Sequence, residues 1–243
     1  MEEQQITKKE RWELKRQEKL ERQENGAKSR LIKRFLLWAL VLAGTAGLIF
    51  GMVKLGGSEP DQSAILINAV SPSDWTKGNK EAKVVLVEYS DFQCPACAYY
   101  YPLLKKLSQD FGDKVSFTYR HFPLRQHINA RLAAYAAEAA GKQNKFWEMH
   151  DLIFENQTKW ENRGDAEKVF KEFANSLDLN ADLFKNDLDS KEIKDKVEND
   201  LQSGVKSQVN STPTIFLNGK KIEVPPNYDE LQNIINEAVK NNP

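Results

Sequence analysis

Cys94 and Cys97 are the only cysteines in a chain of 243 residues, and Pro95 and Ala96 stand between them. Three chemistries compete for such a pair. A structural bridge would close a loop of four residues, for which chain entropy supplies only about 2 kcal/mol, a weak reason to place one here. Zinc needs about four N, S or O ligands. The sequence has no second Cys-x-x-Cys and no His-x-x-x-His, and His121, His127 and His150 fall in unrelated segments. A redox dithiol needs less: two sulfurs about one helical turn apart, near a helix N-terminus, facing an oxidising compartment. The redox reading is favoured, with a metal-binding pair, as in a thiol-dependent metal carrier, and a structural bridge as the alternatives.

The elements around the pair suit that reading. Lys83–Tyr89 (KVVLVEY) is a nearly continuous β-branched run, as expected of a strand buried on both faces. A helix is expected from Pro95 to about Phe111. Cys94 then becomes its N-cap and Pro95 its first residue, where the missing N–H of proline costs nothing. Free backbone N–H groups and the positive end of the helix dipole point at the Cys94 sulfur and favour its thiolate. Ala96 contributes no side-chain donor, so the Cys94 pKa is expected in the upper half of the roughly 3.5–7.5 range of such sites. Cys97, one turn in, is expected to be more buried and to act second.

Val115–Arg120 (VSFTYR) alternates apolar and polar residues, a strand with period two that completes a β-α-β unit. Helical stripes follow over residues 125–206: Ile128, Leu132, Ala136 and Ala140; Phe146, Met149 and Ile153; Ala166, Val169, Phe170, Phe173, Ala174 and Leu177; and Ile193, Val197, Leu201 and Val205. After Pro213, Thr214–Leu217 and Lys220–Val224 flank Asn218-Gly219, the strongest short signal for a tight hairpin. Asn227 and Glu230 open a last helix in a capping-box pattern. The fold class is α/β, a mixed sheet with helices on both sides.

Three segments carry a family resemblance: VLVEYSDFQCPAC at Val85–Cys97, Tyr119-Arg120-His121-Phe122-Pro123, and Ser211-Thr212-Pro213-Thr214. In order and spacing they resemble the DsbA-type thiol:disulfide oxidoreductases of the thioredoxin superfamily, close to membrane-anchored bacterial versions, over about residues 84–239. The resemblance implies a thioredoxin-like fold with a helical insertion. It implies that Cys94 is the nucleophile, that Cys97 is the resolving cysteine, and that Thr212-Pro213 is a cis-proline loop pairing with substrate backbone. It also implies that Glu88 is the buried acid beneath the resolving cysteine and that Pro102 kinks the active-site helix. Ala96 stands where the best-known members carry histidine, and with Pro95 it sets the tuning of the pair. No cofactor beyond the Cys94–Cys97 disulfide is implied. The implied partners are exported proteins with cysteine thiols and a quinone-linked membrane oxidase. The flow could also run in the reductase or isomerase direction.

The rest of the chain suggests where such a domain works. Phe35–Val53 is a run of 19 residues without a charge, about 28 Å long as a helix, close to the hydrocarbon thickness of a bilayer. Residues 1–34 hold 11 Lys+Arg and 7 Asp+Glu, whereas 23 basic and 28 acidic residues follow Lys54. That asymmetry speaks against a nucleic-acid binder and for a single span with the N-terminus in the cytoplasm and the rest exported. An uncleaved anchor is favoured over a signal peptide, because the run is long and lacks a small-x-small site. The expected division is a charged cytoplasmic segment (1–34, with a helix over Thr7–Gln23), an anchor (35–54), a linker and leading segment (55–82) and a redox domain (83–243) carrying the insertion at about 125–206.

Overall fold

Val84, Leu86, Val87 and Tyr89 are all buried although they point to opposite faces of one strand, because helices or loops cover both sides of it. That strand is central in a five-stranded sheet made of β1 (Trp75–Gly78), β2 (Val84–Ser90), β3 (Val115–His121), β4 (Thr214–Leu217) and β5 (Lys220–Ile222). The strands lie in the order β1-β3-β2-β4-β5. β2 and β3 are parallel, with Glu88 opposite Tyr119, and the remaining pairs are antiparallel. The structure, a computed structural model, describes residues 64–242 together with Leu37, Trp38, Leu40, Gly44, Thr45 and Gly47, which are helical. The expected helix over Thr7–Gln23, most of the apolar run Phe35–Val53 and the linker up to Ser63 lie outside the described residues. Among the described residues, no helix is long and apolar enough to cross a membrane.

Between the strands run α1 (Pro95–Asp110), α2 (Ala130–Gly141), α3 (Phe146–Glu155), a 3₁₀ turn (Gln157–Lys159), α4 (Ala166–Ser176), α5 (Ala181–Leu188), α6 (Lys191–Lys206) and α7 (Tyr228–Asn241). On one face of the sheet, Leu104 and Leu107 of α1 and Leu231 and Ile235 of α7 pack on Val84, Leu86, Phe117 and Ile215. On the other, Val87, Tyr89 and Phe216 meet Val209, just after α6, and Ala64. The insertion has its own core around Phe146, Met149, Phe170, Phe184 and Ile193, and Phe92, Cys97 and Tyr119 belong to that core as well. The cysteine pair therefore sits at the seam between sheet and insertion. Asn218 (φ 50°) and Gly219 (φ 80°) take the left-handed conformations that a two-residue hairpin demands. Asn227 accepts from the Glu230 N–H, the N-cap bond that the sequence predicts, and its side-chain amide rather than its backbone N–H donates to the Glu230 carboxylate.

Several expectations need correction. β3 alternates in sequence but is buried along its whole length. Its polar face is covered because Thr118 bonds Thr76 of β1 and Arg120 binds Asp74. Ile128 is 73% exposed, since α2 starts only at Ala130. Val205 is 54% exposed. A stripe spaced by four drifts about 40° per step on a helix, so by its fourth member it has turned about 120° from the first. The sheet domain also begins before residue 83, because β1 pairs with β3 and Leu66 donates to the Gly219 carbonyl beside β5.

Candidate active site

β2 ends at Ser90, and the chain turns into α1 through Asp91, Phe92 and Gln93. The Asp91 carboxylate, fully buried, fixes this turn by accepting from the Gln93 N–H (2.7 Å), the Leu124 N–H (2.7 Å) and His127 Nδ1 (2.8 Å). Gln93 accepts from the Asn129 N–H and donates to the Glu161 carbonyl. Gln157 reaches in from the 3₁₀ turn and donates to the carbonyls of Phe92 (2.7 Å) and Cys94 (3.2 Å). The turn that presents the cysteines is thus clamped from two segments of the insertion side, 124–129 and 157–161. Sequence reasoning missed these positioning residues. An Asp two residues before Gln93 is an Asx-turn signal that was there to be read, but nothing local marks Gln157, which lies over 60 positions away.

Cys94 is the N-cap of α1 and Pro95 opens it, with no acidic residue in the first turn. Both thiols are free. Cys97 is completely buried, and Cys94 is only 7% exposed because the loop at Thr212 covers it. That is tighter than an exposed helix start would be. The Cys94 thiol donates to the Thr212 carbonyl at 3.4 Å, and the Thr212–Pro213 bond is cis. The Thr212 hydroxyl is buried without a direct bond to protein, yet it lies close enough to favour a thiolate at Cys94.

The two sulfurs are strongly unlike. The Cys97 thiol, hydrogen-bonding to the Cys94 sulfur, lowers the Cys94 pKa to about 5, helped by Thr212 and by the backbone N–H groups of Cys97 and Ala96. This lies below the expected upper half of the range. The missing donor at position 96 is replaced by the partner thiol and by backbone. Burial pushes the Cys97 thiol well up, and the neighbouring charges of Cys94 and Glu88 push it further. Glu88 sits on the central strand and is half-buried. Burial raises its pKa to about 7, against a small opposing effect of the Ser90 hydroxyl. Pro102 lies inside α1 as expected.

The three histidines each have a carboxylate partner. His127 bonds Asp91, His150 bonds Asp151, and His121 bonds Glu138 at 2.9 Å. His121, Glu138 and Asp200 lie close enough together to hold a metal ion. The Lys196 ammonium occupies that ground already, 2.7 Å from both Asp200 oxygens. Neither cysteine joins a group of three metal-ligating side chains among the described residues.

Residues 71–237 match the family model described as thioredoxin. The chain belongs to the thioredoxin family. Within it, the DsbA type of thioredoxin-like fold, with its helical insertion, is shared with solved structures. Oxidised BdbD from Bacillus subtilis is 29% identical, with a TM-score of 0.61 over 68% of this chain and 92% of that one. Wolbachia pipientis alpha-DsbA1 is 20% identical, with a TM-score of 0.65 over 75% and 97%, a likeness of fold alone. Among curated proteins, Na(+)/H(+) antiporter NhaA 3 of Salinispora tropica is 36% identical over 166 residues, which is 68% of this chain and 24% of that protein. The thioredoxin-family chain spans about a quarter of the length of that relative, whose antiport activity is a property of the whole antiporter.

Proposed function

We propose that the chain is a membrane-tethered thiol:disulfide oxidoreductase that acts as a dithiol oxidase on exported proteins. The observation that carries this reading is the split between the two sulfurs: a Cys94 whose pKa lies near 5 beside a buried Cys97 whose pKa is pushed well up. A thiolate so stabilised favours the reduced pair, which makes its disulfide an oxidant. In the oxidising reaction a substrate thiolate attacks the Cys94 sulfur, the Cys94–Cys97 bond breaks, and Cys97 departs as a thiolate. A second substrate thiolate then attacks the substrate sulfur of the mixed disulfide and releases Cys94. Cys94 and Cys97 are the catalytic pair, and Glu88 supplies the proton that the departing Cys97 takes up. Thr212 and Pro213 align substrate backbone beside Cys94, and Pro95 and Ala96 tune the pair. The uncharged run Phe35–Val53 anchors the domain outside the cytoplasm, where a quinone-linked membrane oxidase reoxidises the dithiol.

Redox titration of the purified protein against glutathione tests the direction. A potential well above about −200 mV is expected; one near −270 mV would make the domain a thioredoxin-like reductase instead. The metal-carrier alternative has little support, since no further ligand stands with the cysteines among the described residues.

A further inference from the structure

The segment that enters the domain, Ala64-Ile65-Leu66-Ile67, is apolar at every position. Ala64 and Leu66 turn inward and pack with Val87, Tyr89 and Phe216. Ile65 and Ile67, the alternate positions, turn outward and are 62% and 61% exposed. A half-buried extended segment ordinarily carries polar residues on its outer face. These two isoleucines break that pattern together, on one face, two residues apart.

Their surroundings are basic. Ile65 lies opposite Lys220 in an antiparallel bridge, and Leu66 donates to the Gly219 carbonyl. Residues directly opposite in such a bridge project to the same side, so the exposed Lys220 side chain stands beside Ile65. The Ile67 N–H donates to Ser207 Oγ at 3.0 Å. Ser207 follows α6 directly, and the last turn of that helix presents exposed Val205 and Lys206. Neither Lys206 nor Lys220 is in an ion pair among the described residues. Exposed apolar side chains beside unpaired ammonium groups suit the headgroup layer of an anionic membrane. The chain brings such a surface within reach. Only residues 54–63 separate Val53, the end of the uncharged run, from Ala64, and a stretch of that length spans at most about 40 Å in any conformation. A short tether raises the effective concentration of its two ends to the millimolar range, so a patch too weak to hold lipid on its own is enough.

Resting on the membrane-anchored reading, we propose that Ile65 and Ile67, with Lys206 and Lys220, seat the domain on the anionic surface of the bilayer that holds its anchor. The isoleucines enter the headgroup layer, and the two ammonium groups meet lipid phosphates. The seat also decides which way the active site faces. Ile65 is in register with Lys220, Lys220 with Leu217, and Leu217 with Leu86. Leu86 lies near the start of β2, and the turn to Cys94 leaves from the other end of that strand, about 13 Å further along at the usual rise per residue. The patch therefore rests on lipid while Cys94 and the Thr212–Pro213 loop stay open to exported chains.

The test uses the full chain carrying Cys94→Ala and Cys97→Ala, so that a nitroxide can be placed on one introduced cysteine at a time. Chains with Ile67→Cys, Asn68→Cys or Arg125→Cys are labelled and reconstituted into vesicles of phosphatidylcholine, with or without phosphatidylglycerol. Collisions of the label with oxygen, which concentrates in lipid, are compared with collisions with a water-soluble nickel chelate present on both sides of the membrane. On anionic vesicles the label in place of Ile67 should meet oxygen in excess over nickel. The label in place of Arg125, exposed near the active-site turn, should stay as open to nickel as a label in water. The label in place of Asn68 reads the variants. Ile65→Ser should weaken seating on both kinds of vesicle, whereas Lys206→Gln and Lys220→Gln should each weaken it about fivefold on anionic vesicles alone. Chains that float with the vesicles but carry a nickel-accessible label in place of Ile67 would overturn the inference and leave the anchor standing. So would shielding that grows with protein density and brings dipolar broadening, the mark of a second copy of the chain. Chains that fail to float with the vesicles would overturn the anchored reading and the seat together.

Discussion

At Glu88 an unfavourable interaction is built into the fold. Its carboxyl has a pKa of about 7 against an ordinary 4.5, because burial disfavours the charge. Below pH 4.5 the group is neutral in both the folded and the unfolded chain and has no effect. Between 4.5 and 7 the unfolded chain gives up the proton while the folded one keeps it, so stability falls as pH rises. Above 7 the loss is complete, of the order of 3 kcal/mol. Glu88→Gln removes the charge, so the reduced variant should gain on the original across that window and keep a constant lead up to pH 8. Urea midpoints measured at half-unit steps of pH will decide this. Parallel curves would mean that the carboxyl titrates as a solvated one. The same side chain would then have lost its claim to exchange a proton with Cys97.

Elements enter through the clamp on the active-site turn. Gln157 is buried, and its amide satisfies two carbonyls of the segment that ends in Cys94. Gln157→Ala leaves the Phe92 carbonyl without its donor inside the seam, which should cost about 1–3 kcal/mol. Amide hydrogen exchange should locate the loss at residues 92–98 and spare α7, and uniform loosening would refute a local clamp. This contact also marks the limit of what the sequence discloses. The strand Val84–Ser90, the helix opened by Cys94 and Pro95, and the Asn218-Gly219 hairpin were legible because each is governed by neighbours in the chain. The cysteines were legible as a pair for the same reason. β1 was not, since Trp75–Gly78 carries no apolar run and becomes a strand only by pairing with β3. Nor was the depression of the Cys94 pKa to about 5, which depends on Thr212 more than 100 residues away as well as on the neighbouring thiol. The burial of the polar face of β3 belongs with these, because Thr76 and Asp74 create it from outside the strand.

For the molecule as a whole, the deciding question is where the folded domain starts. The Arg120 guanidinium is 3% exposed, and the leading segment answers most of its hydrogen-bonding capacity. Asp74 takes two bonds at 2.9 Å, and the carbonyls of Asn68 and Ala69 take one each, which leaves only Tyr89 from the sheet itself. Burial alone would raise the Asp74 pKa, but the bonds from Arg120 and the Ser71 N–H outweigh it and hold the carboxyl below its ordinary value. Cutting the chain at Lys83, the boundary that sequence patterns suggest, removes Asp74 and both carbonyls and leaves a buried charge unpaired. A broken buried pair costs about 3–5 kcal/mol. The same cut strips β1 from β3 and exposes a strand edge. Against a typical total stability of about 5–15 kcal/mol, the broken pair alone is a large share. A fragment beginning at Pro60 should therefore unfold in one cooperative urea transition. One beginning at Lys83 should be unfolded or melt at a far lower midpoint, even though it keeps Cys94, Cys97, Glu88 and Pro213. Arg120→Met in the longer fragment breaks the pair from the other side, leaving Asp74 buried without its partner while β1 stays in place. In the Lys83 fragment, where Asp74 is gone, it removes the unpaired charge and should recover part of the lost stability. Equal midpoints for the two unaltered fragments would mean that the leading segment is dispensable and that the domain is closed by its sheet and insertion alone.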